Sequence, residues 1–339
     1  MNFVLIRHVF SFGFSFFLCF YIIPKIIKSS LRFGIMDVPD GKIKCHKVPI
    51  PYLGGVAIYL SFIATLCIVY PFENKIVWLL LGSTLLLLIG LIDDLHVLTP
   101  ARKFFGQMIA TLCFLKGGFS LKTEFLSSYF TLFISGFWML SVINAFNLVD
   151  VMDGLSSLIA IISSFSFLII AILFQQYEVS LLLTAFLGAV IAFFIYNKPP
   201  AKIYMGDAGS MFLGGFLASI PLLFSWSSHS IDAYYVPVII LAIPLLEIFF
   251  LVLIRTSIGI PFYKGSPHHF SIYLMKKGWN KFQVLFFTMI MGILFSGSAF
   301  LFLFNIINFL GLMFILGFLF LIWCYFVFYN KKSGNVINS

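Results

Sequence analysis

The sequence predicts an all-α polytopic membrane protein, a single integral-membrane domain over residues 1–339. Three observations predict it. The mean hydropathy is +1.09. Hydrophobic residues make up 61% of the chain and charged residues 10%, which excludes an ordinary soluble domain. The apolar segments stay apolar on every side for about 20 residues, the length a helix needs to cross a bilayer, whereas strands of a membrane barrel would alternate apolar and polar positions.

Taken in order, eleven candidate spans run approximately over 3–27, 53–71, 76–92, 104–116, 129–148, 155–175, 179–196, 208–226, 234–256, 282–304 and 308–329. The first carries Arg7 near its start and has no small-residue cleavage site after it, so it is expected as a retained helix. The fourth is short, which makes ten the alternative count. No connection between spans is long enough for a soluble domain, and no internal repeat stands out. Cys19, Cys45, Cys67, Cys113 and Cys324 show no paired or metal-ligand spacing, and most lie in apolar runs as small hydrophobes. The 45 phenylalanines read as lipid-facing surface.

The formal net charge is +9, unevenly placed. With the N-terminus outside, the outer side keeps only Arg7, Lys75, Lys116 and Lys122 of the 21 basic residues, a strong positive-inside bias. This arrangement uses Lys and Arg alone, yet it also gathers Asp37, Asp40, Asp93, Asp94, Asp150, Asp153 and Asp207 on the inner side. A single cytoplasmic-face site is therefore expected, in a multi-pass membrane protein.

Those acids need a reason. An ionised carboxylate at the membrane centre costs roughly 2.5–3.5 kcal/mol, so they belong at an interface or in a wet cleft with a cation. Asp93-Asp94 end an apolar span, and helix geometry turns adjacent residues about 100° apart, so one can face the bundle while the other faces the loop. A solvated helix end is the plain alternative; a metal ligand beside a proton acceptor is the sharper one. Asn144, Asn147, Asp150 and Asp153 recur every three residues. On a continuing helix they form a slowly rotating polar stripe, with Gly154 allowing a turn. Amide bonds between helices and Asp caps are the alternative.

Tyr204-Met-Gly-Asp207-Ala-Gly-Ser210 precedes another span, and a helix start beside an Asp suits phosphate with a divalent ion. Lys264 and the His268-His269 pair lie in a basic loop without a third His or Cys, so the histidines read as phosphate contacts or proton carriers. The all-oxygen acids suit Mg²⁺, with Mn²⁺ as the alternative. The Pro/Gly-rich loop holding Lys44 and His46, together with Lys103 and Gln107, adds anion-binding groups. Acids for a hard cation, bases for phosphates and membrane burial together suit phosphoryl transfer with one lipid-soluble partner.

These motifs resemble those of the polyprenyl-phosphate N-acetylhexosamine-1-phosphate transferases, the WecA- and MraY-type enzymes of glycosyltransferase family 4. The resemblance covers roughly residues 34 to 285, and five motifs occur in the family's order. They are Asp37-x-Pro39 with Lys44-x-His46 and Pro51-x-x-Gly54-Gly55; Asp93-Asp94-Leu95 with Lys103 and Gln107; Asn144-Ala-x-Asn147-x-x-Asp150-x-x-Asp153-Gly154; Gly206-Asp207-x-Gly209-Ser210; and His268-His269.

The resemblance implies transfer of a sugar 1-phosphate from a UDP-linked N-acetylhexosamine to undecaprenyl phosphate, with release of UMP. This is the priming step of cell-envelope polysaccharide synthesis, of O-antigen, lipopolysaccharide or teichoic acid type. It implies Mg²⁺ held by Asp207 and Asp150, and Asp93 or Asp94 accepting or positioning the lipid phosphate's proton. Asn147, with Asn144 and Asp153 nearby, would face the nucleotide sugar, and Tyr204 would stack on uracil. Lys44, His46, Lys103, Lys264, His268 and His269 would meet phosphates. Its partners are the bilayer and the two substrates, with no nucleic acid, and a homodimer is compatible with it.

Two departures stand out. Ser266-Pro267 stands where the family usually has a further His, and Asp150-Val-Met-Asp153 replaces Asp-Gly-Leu-Asp. The opening loop is more similar to the WecA-like branch than to the phospho-N-acetylmuramoyl-pentapeptide transferases, which are the alternative. A catalytically dead scaffold is a further one. From a different class, an ion-coupled transporter predicts inverted repeats and acids near the midplane, neither of which the sequence displays.

Overall fold

The computed structural model describes residues 3–37, 49–70, 74–123, 126–224, 226 and 231–329. Thirteen α-helices follow one another among them: α1 Phe3–Phe33, α2 Gly54–Val69, α3 Asn74–Leu95, α4 Pro100–Lys116, α5 Ser128–Val149, α6 Leu155–Leu173, α7 Tyr177–Asn197, α8 Gly206–Ser219, α9 Tyr235–Ile240, α10 Ala242–Ser257, α11 Phe270–Lys276, α12 Lys281–Leu303 and α13 Phe309–Cys324. A short antiparallel pair, β1 Met36–Asp37 and β2 Ile50–Pro51, flanks the first loop. The all-α polytopic membrane fold is thus as expected.

Eight helical stretches among the described residues are long and apolar enough to cross a membrane, and Gly54–Val69 is a shorter apolar one. The expected span at 104–116 is α4, which starts earlier, where Thr99 caps the helix and Pro100 stands in its first turn. The expected span at 234–256 is not continuous. It breaks at Leu241 into α9 and α10 because Pro244 has no N–H for the carbonyl of Ile240, and the Ser163 hydroxyl reaches that carbonyl at 3.4 Å. The expected polar stripe also stops early: α5 ends at Val149, Asp150 is its C-cap and Gly154, with φ +77°, starts α6.

α8 is the centre of the bundle, 83% buried over its apolar stretch, while the outward α1 and α13 are each 22% buried. Its small residues let neighbours approach backbone to backbone. A Cβ at Gly55 of α2 would lie 2.2 Å from the Gly209 Cα, and one at Gly90 of α3 would lie 2.4 Å from the Ala208 nitrogen. Backbone bonds complete the seam: the Gly54 and Gly55 amides donate to the carbonyls of Tyr204 and Met205, and the Tyr204 amide to that of Pro51. The start of α8 is therefore fixed against the start of α2 and the end of α3.

Candidate active site

The last turn of α3 meets the first turn of α8. Asp94 accepts the Asp207 amide at 2.8 Å and the Ala208 amide at 3.1 Å, so its two oxygens cap the unpaired N–H groups of α8. Gly206, at φ +74°, is what the corner requires: a Cβ there would stand 2.5 Å from Asp94 Oδ2. Asp93, one residue earlier, points elsewhere. Its Oδ1 accepts the Leu98 amide at 2.6 Å and its Oδ2 pairs with Lys103 Nζ at 2.9 Å.

Lys103, near the start of α4, is the hub. Besides Asp93 it pairs with Asp207 and donates to Asn147 Oδ1 at 3.1 Å. Asn147 on α5 turns its amide to Asp207 Oδ1 at 2.8 Å and to Ser210 Oγ at 3.0 Å. Asp150, one turn further, carries no such support: burial first, then the like charges of Asp207, Asp94 and Asp153, push its carboxyl up to about 8. Tyr204 sits in the same negative field; burial and then Asp153, Asp37 and Asp150 push its phenol up, so it keeps its proton.

Other expected residues lie in neighbouring clusters. Asn144 donates to Gln107 Oε1 at 2.9 Å, one turn behind Asn147. The buried Asp153 pairs with Lys281 at 2.8 Å and accepts the Ala201 amide at 3.1 Å, tying α12 to the turn before α6. His269 is buried, its Nδ1 2.8 Å from Glu247 Oε1 on α10. Burial, then Lys276, Arg255 and His269, lower the His268 pKa and favour its neutral form. Lys264 is exposed. Among the described residues, no hydrogen bond or ion pair joins Lys264, His268 or His269 to the carboxylates on α3 and α8. Lys44 and His46 lie outside the described residues.

Several participants gave no usable signal in the sequence. Asn197 accepts the Gly154 amide at 3.0 Å and donates to the Ile203 carbonyl at 2.9 Å, joining the turns before α6 and α8. Glu247 and Arg255 look like stray charges in an apolar run, yet both are buried and organise the histidine loop. Arg255 Nε donates to Ser266 Oγ at 2.8 Å and its NH1 group to the Phe262 carbonyl at 2.8 Å. Ser266, in the Ser266-Pro267 segment before the histidine pair, is thus a buried anchor for Arg255.

The matched family model is that of glycosyl transferase family 4, over residues 76–225, which contain the Asp93–Asp207 cluster. A phospho-N-acetylmuramoyl-pentapeptide-transferase of Bacillus mycoides (strain KBAB4) is 32% identical over 284 residues, 75% of this chain and 84% of that protein. The chain belongs to glycosyl transferase family 4. Two further family relatives extend the likeness. One, from Bacillus subtilis (strain 168), is named "probable undecaprenyl-phosphate N-acetylglucosaminyl 1-phosphate transferase" and is 26% identical over 305 residues, 87% of this chain and 85% of its own. Another, a phospho-N-acetylmuramoyl-pentapeptide-transferase of Listeria innocua serovar 6a, is 31% identical over 294 residues, 78% and 86% of the two chains.

A divalent ion fits this family member's donor set in kind. Asp150 is a carboxylate without a compensating cation, and Asp207 stands near it with hard oxygen donors. Among the described residues no three His, Cys, Asp or Glu form a metal-binding group by themselves. Mg²⁺ keeps several waters and is usually bound by one or two carboxylates plus substrate phosphates.

Proposed function

We propose that the protein transfers an N-acetylhexosamine 1-phosphate from a UDP-linked donor to undecaprenyl phosphate, releasing UMP and leaving a polyprenyl diphosphate sugar. One observation carries the reading: Asp93, Asp94, Lys103, Asn147 and Asp207 interlock where α3, α4, α5 and α8 meet, with Asp150 beside them. Such a site lets a water-borne nucleotide and a bilayer-borne phosphate meet. The positive-inside bias supports a site on the cytoplasmic face of the inner membrane, and the reading takes residues 1–339 as one domain. The Bacillus subtilis relative's name supports the same donor and acceptor class.

In the reaction, an oxygen of the lipid phosphate attacks the sugar-bearing phosphorus of the donor. A new P–O–P link forms, the bond to the uridylyl phosphate breaks, and UMP leaves with that electron pair. Mg²⁺ held by Asp207 and Asp150 would neutralise diphosphate charge. Asp93 takes the proton of the lipid phosphate. Lys103 holds Asp93 and Asp207 in register before substrate arrives and meets phosphate oxygens afterwards. Asn147 orients Asp207, Asp94 fixes the start of α8, and Tyr204 offers the uracil a protonated aromatic face.

Membranes carrying the protein should release UMP from UDP-N-acetylglucosamine when undecaprenyl phosphate and Mg²⁺ are supplied. Asp207→Asn should lower that rate on the order of 100-fold, the effect expected when one charge-stabilising group is lost. Unchanged activity in this variant would remove Asp207 from its role. Relatives named phospho-N-acetylmuramoyl-pentapeptide-transferase support UDP-MurNAc-pentapeptide as the second donor to assay. UMP release from that donor alone would replace the first reading with the second.

A further inference from the structure

A polar cavity of ≈ 420 Å³ opens at the end of the bundle opposite the carboxylates. Lys75, at its wall, and Asp93 stand on the same helix α3, roughly 27 Å apart along the axis at 1.5 Å per residue. Lys75, Lys122, Tyr177 and Glu178 are among its polar lining residues, and Leu79 and Leu182 contribute to its apolar part. The placement of the cations is unexpected. The sequence leaves only Arg7, Lys75, Lys116 and Lys122 on this side, yet two of them line one cavity. A third, Arg7, lies over the Tyr177 ring, 5.6 Å from its centre.

Among the described residues, neither lysine of the cavity is held in an ion pair. Lys75 is half-buried, with its ammonium 5.5 Å from the centre of the Phe119 ring. Lys122 donates to the Leu223 carbonyl at 3.1 Å. Neither lysine makes an ion pair with Glu178, which accepts instead from the Tyr70 hydroxyl at 3.3 Å. The Tyr177 hydroxyl is buried without a hydrogen-bond partner. Two ammonium groups and an orphaned hydroxyl face the single carboxylate of Glu178 in this cavity, an excess of donors and of positive charge that favours a bound anion.

We propose that this cavity binds a phosphate group, carried by the headgroup of an anionic lipid. The two ammonium groups and the Tyr177 hydroxyl meet the phosphate oxygens, and the leucines meet the first carbons of the amphiphile. A cavity at the membrane-exposed end of apolar helices is within reach of such a headgroup. The site is remote from the proposed reaction, so it stands whatever donor the transferase uses.

The full-length protein in detergent tests this by native mass spectrometry and thermal melting. The probes are phosphatidylglycerol, phosphatidylcholine and inorganic phosphate, applied to wild type, Lys75→Gln, Lys122→Gln and the double variant. Phosphatidylglycerol should be retained and raise the melting temperature, phosphatidylcholine should not, and the double variant should retain about tenfold less, as expected for lost charged hydrogen bonds. Lysine-dependent protection by inorganic phosphate as well would support the site with free phosphate as a ligand. Protection by neither, or protection equal in wild type and double variant, overturns the proposal. UMP release and the elution volume of each variant control for folding. Lys75→Arg, which keeps the charge, should keep binding if the glutamine variants fail to fold.

Discussion

At the scale of single residues, the adjacent Asp93 and Asp94 have different surroundings and so different expected phenotypes. Asp94 accepts two amides of α8, whereas Asp93 faces Lys103 and the Leu98 amide. Asn caps a helix as well as Asp does, while Ala forfeits about 1 kcal/mol. Asn at position 94 keeps only one of the two acceptor oxygens, so Asp94→Asn should melt slightly below wild type and keep part of its UMP release, and Asp94→Ala, with neither acceptor, should melt lower still and lose that release. Asp93→Asn should melt as wild type and release UMP on the order of 100-fold more slowly. Equal inactivity of Asp93→Asn and Asp94→Asn at wild-type stability would mean that Asp94 acts chemically rather than as a cap. The sequence displayed both acids, but it contained no means of telling them apart. Their division depends on where the start of α8 falls, a contact across 113 positions of chain.

At the scale of elements, the site depends on close helix contacts more than on the residues that line it. Gly55 and Gly90 touch the backbone of α8 one turn or less from Asp207. Gly55→Ala would force a Cβ to 2.2 Å from the Gly209 Cα, which no rotamer relieves because both atoms belong to backbones. Overpacking of this kind costs about 1–3 kcal/mol. The variant should melt several degrees lower and, by displacing Asp207, lose activity even at temperatures where it is folded. A control at Gly297 of α12, where a Cβ meets nothing within 4 Å, should melt as wild type. Wild-type melting of Gly55→Ala would show that α2 and α8 are not held as tightly as their contact implies. The apolar runs announced most of these helices by length alone. The break at Leu241 was not announced, because Pro237 and Pro244 are both compatible with a kinked single span until the Ser163 hydroxyl supplies the freed carbonyl with a partner.

At the scale of the whole molecule, the carboxylates gathered at one end of the bundle include one, Asp150, that no cation among the described residues pairs with, and this links folding to pH and to metal. The Asp150 carboxyl rises from an ordinary 3.8 to about 8 on folding. A raised acid pKa means that the folded state holds the proton more tightly than the unfolded chain does. Its contribution to stability is then full below pH about 3.8 and is lost as pH climbs towards about 8. A divalent ion held by Asp150 and Asp207, as proposed, would take the place of that proton, so its benefit would grow over the same range. Without divalent ions, in EDTA, the protein should melt at a lower temperature at pH 8.5 than at pH 6. Added Mg²⁺ should raise the melting temperature more at the higher pH, and Asp150→Asn should flatten both trends. Coincident melting curves with EDTA and with Mg²⁺ across this range would remove the ion from the Asp150–Asp207 pair, while leaving the helix contacts that build the site untouched.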